Sequence, residues 1–153
     1  MKLLLLAALA SADLFLVRHA EKLEPKKDAS LLSPRGHERA KTLARVLADV
    51  PLKAVYCTEY ERTLQTALPT AKKKGLEPIR TDSEDVKGLA EALRARASDE
   101  HVLVVGHSDT LPELLSLLGA AGPEKIEAEE YDNLFIVRLS SGRASTHRLR
   151  YGR

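Results

Sequence analysis

The chain has 153 residues, 44% hydrophobic and 30% charged, which suits one globular domain with a full core. Its 24 basic and 22 acidic residues leave a formal charge of +2, without the concentrated basic face that nucleic-acid binding needs. One cysteine, Cys57, rules out an intrachain disulfide and leaves the compartment open.

The first segment carries a compartment signal. Lys2 precedes an apolar run from Leu3 to Ala10, and Ala10-Ser11-Ala12 has the small-x-small pattern of a signal-peptidase site. The run is too short for a bilayer, which needs about 20 apolar residues. Residues 1–12 are therefore expected to be a signal peptide, and the protein periplasmic or secreted. The alternative is a cytoplasmic protein with an N-terminal extension packed on the domain. Cleavage after Ala12 leaves residues 13–153 as that domain.

Asp13 to Val17 reads as a buried strand that delivers Arg18 and His19 at its end. Lys22 to Leu32, with Pro25 and Lys26-Lys27-Asp28, reads as a loop. Ser33-Pro34 starts a helix, serine at the N-cap and proline at N1. Ala40, Leu43, Ala44, Val46 and Leu47 give it an apolar stripe. Ala54 to Cys57 is a second strand, with Cys57 a small core residue. Thr58-Glu59-Tyr60-Glu61 fits a capping box with Thr58 at the N-cap. The helix after it carries Arg62 early, meets Pro69, where a kink or break is expected, and ends in Lys72-Lys73-Lys74 before Gly75, where cations complement the dipole. Pro78 to Thr81 is a short edge strand, and Asp82 to Asp85 an acidic loop. Val86 to Ala97 is helical, with Leu89, Ala92 and Leu93 inward. Val102 to Gly106 is a central strand that delivers His107. Thr110-Leu111-Pro112-Glu113 fits a second capping box, with Thr110 at the N-cap of a helix that ends at Gly119. Glu129 to Asn133 reads as a solvated turn or a loop at a pocket rim. Leu134–Leu139 and Ala144–Leu149 flank Ser140-Ser141-Gly142-Arg143 as a hairpin. His37, His101 and His147 have no such context and are read as solvent-facing.

Alternating strands and helices predict a three-layer α/β/α sandwich with a mostly parallel sheet and an antiparallel edge. Ligands of such folds bind at the carboxyl ends of the strands. His19, His107 and Arg62 all belong at such ends and can converge with Arg18. A phosphomonoester carries about two negative charges near neutral pH. Two arginines can grip its oxygens bidentately, a neutral imidazole can attack phosphorus, and a second histidine can donate to the equatorial oxygens. The helix N-terminus after His107 is expected to aim amides at the anion. No metal or cofactor is required.

In order and context, four segments resemble the histidine phosphatase superfamily, also called phosphoglycerate mutase-like. They are Leu16-Val17-Arg18-His19-Ala20-Glu21-Lys22, Leu32 to Ala40, Arg62-Thr63-Leu64-Gln65-Thr66-Ala67, and Val105-Gly106-His107-Ser108. The resemblance covers nearly the whole chain after Asp13. It implies that His19 is the phosphorylated nucleophile and that Arg18, Arg62 and His107 complete the phosphate pocket. Ala20 stands where glycine is common. Only Leu64 to Gly106 separates the second arginine from the second histidine, too little for a mutase-type specificity insertion. The resemblance therefore implies a phosphatase acting on a small phosphorylated substrate or a phosphoprotein, a protein phosphohistidine phosphatase being the alternative.

Other chemistries fit these residues less well. A non-catalytic anion-binding module would keep the arginines without needing His19 as nucleophile. Gly106-His107-Ser108-Asp109-Thr110 begins like a serine-hydrolase elbow, but Thr110 stands where glycine is needed. His19-x-Glu21 and His107-x-Asp109 have metal-ligand spacing, but Arg18 and Arg62 would repel a cation. Glu21, Asp82, Glu84, Asp85 and Asp109 are candidates for protonating the leaving group, and the sequence does not choose among them.

Overall fold

The computed structural model describes residues 11–24, 30–96, 99–140 and 142–152. Residues 1–10 of the expected signal segment, Pro25 to Ala29 of the first loop, Ala97 and Ser141 lie outside the described residues.

Ten elements alternate along the chain: β1 (Asp13–Arg18), α1 (Pro34–Val46), β2 (Leu52–Thr58), α2 (Glu61–Lys74), β3 (Ile79–Thr81), α3 (Val86–Arg96), β4 (His101–Gly106), α4 (Thr110–Leu117), β5 (Asn133–Ser140) and β6 (Arg143–Arg150). The strands form one sheet in the order β3-β2-β4-β1-β5-β6. The first four in that order are parallel. The last two run antiparallel, so the expected mixed sheet with an antiparallel edge is what forms.

The near-continuous apolar runs of β1, β2 and β4 follow from burial on both faces. Side chains alternate along a strand. Leu14, Leu16, Tyr56, Val102 and Val104 pack on one face with Val86, Leu93, Leu111 and Leu114 of α3 and α4. Phe15, Val17, Val55, Cys57, Leu103 and Val105 pack on the other with Leu43, Ala67 and Ala71 of α1 and α2. Each buried leucine or valine contributes roughly 1.5–3 kcal/mol. This double-sided core fixes strand register, and register fixes where Arg18, His19 and His107 emerge. Gly36, in the first turn of α1, lies against the Glu21 carbonyl, and a Cβ there would collide with it. The missing side chain lets α1 pack directly on the segment that follows His19.

Several local readings need correction. Thr58 does not cap α2: Tyr60 is the N-cap, without a side-chain bond, and the Thr58 hydroxyl turns inward to His107. Asp109, not Thr110, caps α4, its carboxylate accepting from the Thr110 amide at 2.9 Å. No break occurs at Pro69; α2 continues across it, with Thr66, Ala67, Thr70 and Ala71 buried to either side. Val46 is exposed, because the inward stripe of α1 ends on Leu43, Ala44 and the cap residue Leu47. On α3 the buried alanine is Ala90, three residues before Leu93, and Ala92 faces out. His101 is half-buried rather than solvent-facing, since its Nδ1 accepts from the Asp13 amide at 3.0 Å. His37 and His147 are exposed. Among the described residues no helix is long and apolar enough to cross a membrane.

Candidate active site

Arg18, His19, Arg62 and His107 line one open cleft at the carboxyl ends of β1, β2 and β4. The β1–β4 pairing brings the histidines together, because the His19 amide extends the ladder by donating to the Gly106 carbonyl at 2.9 Å. The ring centroids of His19 and His107 are 5.4 Å apart. The next amide, Ala20, donates to the Thr66 hydroxyl of α2 at 2.9 Å, which ties the loop after β1 to the helix that carries Arg62.

His19 is 4% exposed. Its Nδ1 lies 2.8 Å from the Ala20 carbonyl. A carbonyl only accepts, so Nδ1 carries the proton and Nε2 keeps its lone pair. Burial is the main cause of a pKa lowered to about 3, with His107, Arg18 and Arg62 adding repulsion and the Ala20 bond opposing. His19 is thus a neutral imidazole at neutral pH, the form that can attack phosphorus.

His107 is held differently. Its Nε2 lies 2.9 Å from the Thr58 hydroxyl, and Arg62 Nη2 lies 3.4 Å from its Nδ1. Its pKa is lowered to about 4, first by burial and then by Arg62, against the pull of Asp109 and Glu59.

The two arginines are aimed by aromatic rings. The Arg18 guanidinium lies 4.1 Å from the centroid of the Tyr131 ring, and that of Arg62 lies 4.4 Å from that of Tyr60. Arg18 Nη1 donates to the carbonyls of Glu127, Ala128 and Glu130 at 2.8–3.1 Å. Among the described residues its buried Nε has no acceptor, which leaves it a donor suited to an anionic oxygen. The segment from Glu127 to Tyr131 is therefore an exposed turn that packs its carbonyls and one ring against Arg18, and it does not line the cleft itself. Its sequence held one usable signal, a lone tyrosine among acids before a strand.

The candidate acids separate cleanly. Glu21 takes a bidentate bond from Arg39 at 2.7 and 2.8 Å and a further contact from Arg35 at 3.1 Å. These arginines hold its pKa below the usual carboxylate range against the opposing effect of burial, and it does not line the cleft. Asp85 accepts from the Gly88 amide at the start of α3, and Asp82 accepts from the Glu84 amide. Glu84 and Asp109 line the cleft, with Lys22, Tyr60, Ser83 and Ser108. The amides expected from the start of α4 are partly committed elsewhere. That of Thr110 binds the Asp109 carboxylate and that of Leu111 binds the His107 carbonyl. Among the described residues no three histidine, cysteine or carboxylate groups are placed to hold a metal ion.

Fold and site together define an α/β sandwich with an arginine-lined cleft built around a buried, neutral histidine. The family model of the histidine phosphatase superfamily (branch 1) matches residues 14–85, which include Arg18, His19 and Arg62. Solved structures share the fold. The alpha-ribazole phosphatase from Shigella flexneri is 18% identical, with 90% of this chain and 96% of that one covered and a TM-score of 0.74. The protein histidine phosphatase SixA, solved with tungstate, is 19% identical, covering 90% and 96%, with a TM-score of 0.72. A phosphoglycerate mutase from Bacillus anthracis is 14% identical, covering 92% and 93%, with a TM-score of 0.75. No curated protein matches the chain in sequence.

Proposed function

We propose that this protein hydrolyses phosphomonoesters through a phosphohistidine at His19, without a metal ion. One observation carries the reading: the Ala20 carbonyl fixes the His19 proton on Nδ1, leaving an unprotonated Nε2 in a cleft that two arginines make anionophilic. In the first step Nε2 bonds to phosphorus as the ester P–O bond breaks. Arg18 and Arg62 offset charge on the transferring group, the main electrostatic need of phosphoryl transfer. Glu84 or Asp109 gives the leaving oxygen its proton. Water then attacks the phosphohistidine, releasing phosphate and restoring the lone pair.

The cleft is open, with a volume of about 1090 Å³ including its mouth. This openness, and the fold shared with a protein histidine phosphatase, support a second reading in which the substrate is a phosphohistidine on another protein. Export is part of the proposal. Its test is the N-terminal sequence of the protein made in a bacterial host, expected to begin at Asp13.

Hydrolysis of p-nitrophenyl phosphate with EDTA present, by wild type and His19→Ala, tests the main reading. EDTA-resistant turnover lost in the variant is the expected result. Turnover that survives in His19→Ala would contradict the mechanism. Phosphate binding without turnover on either ester or phosphohistidine substrates would favour a non-catalytic anion-binding module.

A further inference from the structure

The Thr58 hydroxyl sits behind His107, away from the family's expected machinery, and it is buried with Thr63 in the first turn of α2. The hydrogen bonds around it have only one consistent direction. The Thr63 hydroxyl has a single proton and lies 2.7 Å from the Tyr60 carbonyl and 3.2 Å from the Thr58 carbonyl, so that proton goes to a carbonyl. Its oxygen then accepts from the Thr58 hydroxyl, 3.0 Å away. With its own proton spent, Thr58 Oγ1 faces His107 Nε2 at 2.9 Å only as an acceptor, so Nε2 carries the hydrogen. The Tyr60 amide, 3.4 Å from the same oxygen, also donates to it. The opposite side of the ring agrees. Arg62 can only donate, so Nδ1, 3.4 Å from its Nη2, is the bare nitrogen.

We propose that Thr58, braced by Thr63, is a positioning residue that holds His107 as the Nε2–H tautomer and leaves Nδ1 as the ring nitrogen that meets the phosphoryl group. This rests on the phosphatase reading for its catalytic meaning, but the tautomer itself does not. Nδ1 then accepts from Arg62 in the resting site and donates to a phosphoryl oxygen only after taking up a proton. The charged and titratable groups around His107 are Arg18 and His19 from β1, Glu59, Tyr60 and Arg62 from the end of β2 and the start of α2, and Asp109 before α4. Among the described residues the hydrogen bond to His107 Nε2 is the one to Thr58.

Ring-nitrogen NMR on 15N-labelled wild type, Thr58→Val and Thr58→Ser, with His107 assigned by its loss in His107→Asn, reads the tautomer without any need for activity. Wild type and the serine variant should show a protonated Nε2 and a bare Nδ1. The valine variant, lacking the acceptor, should show a tautomer mixture. Its kcat/KM on p-nitrophenyl phosphate should fall roughly ten- to hundredfold, the size expected when a buried donor loses its partner, and serine should restore it. A protonated Nδ1 in wild type, or an unchanged tautomer in the valine variant, would overturn the proposal. Should the valine variant not fold, Thr58→Ala carries the same expectation. The predicted tautomers in a wild type without turnover would leave the positioning role standing and count against the phosphatase reading instead.

Discussion

The two ends of the site are built in different materials. At the end of β1, main-chain atoms do the holding: the Ala20 carbonyl fixes the His19 tautomer, and the carbonyls of Glu127, Ala128 and Glu130 hold Arg18. At the ends of β2 and β4, side chains do it: Thr58 and Thr63 hold His107, and Arg62 reaches across to its other nitrogen. A carbonyl cannot be removed by substitution, whereas a hydroxyl can. The proposed nucleophile, His19, is therefore set by the fold itself, and His107 by residues that are individually replaceable.

Three substitutions and one pH series break or sharpen that contrast. Beyond the loss of turnover in His19→Ala, the largest effect should come from the side-chain end. Arg62→Lys replaces a planar fork by a point charge and also removes the donor beside His107. Its kcat/KM on p-nitrophenyl phosphate should fall about a hundredfold, and near-normal kinetics would show that Arg62 is not a phosphate clamp. Thr58→Val belongs next, with the tautomer shift described above. At the main-chain end, Tyr131→Leu removes the ring under Arg18 but leaves the carbonyls. A cation–π contact of ~1 kcal/mol predicts a KM rise of only about fivefold with little change in kcat. A loss as deep as that of Arg62→Lys would mean the carbonyls do not suffice.

The pH series reads stability instead of turnover. His19 and His107 have folded pKa values of about 3 and about 4, below the unfolded value of about 6.5. Between these limits the unfolded chain binds more protons, so stability falls as pH falls. From pH 7 to pH 5 each histidine should cost about 2 kcal/mol, read by urea unfolding. His107→Gln should remove about half of that slope. An unchanged slope would mean that His107 is not held neutral by burial.

The fold was largely legible, because β1, β2 and β4 are apolar on both faces and the helices carry clear stops at Gly75 and Gly119. The four central site residues were legible for the same reason: each follows an apolar strand or opens the helix after one. Reading failed where one side chain has two possible partners. Thr58 and Thr110 each begin a capping box, yet Thr58 bonds to His107, and Thr110 accepts from the His107 amide while Asp109 caps the helix. Local spacing cannot reveal that a strand end 49 residues away competes for the hydroxyl. The segment against Arg18 was left between a turn and a rim for a related reason. Glu127 to Tyr131 acts mainly through carbonyls and one ring, and carbonyls leave no mark in a sequence. Glu21, next in line after Ala20, was a plausible acid until its two arginines were visible.

The central claim is that His19 Nε2 takes the phosphoryl group. Wild type and His19→Ala, mixed with p-nitrophenyl phosphate and quenched in alkali, where phosphohistidine survives, can be weighed intact and then mapped by peptide fragmentation. One added phosphoryl group on His19 of the wild type, and none on the variant, is the predicted result. A phosphoryl group on another residue, or turnover without any on His19, would contradict the account.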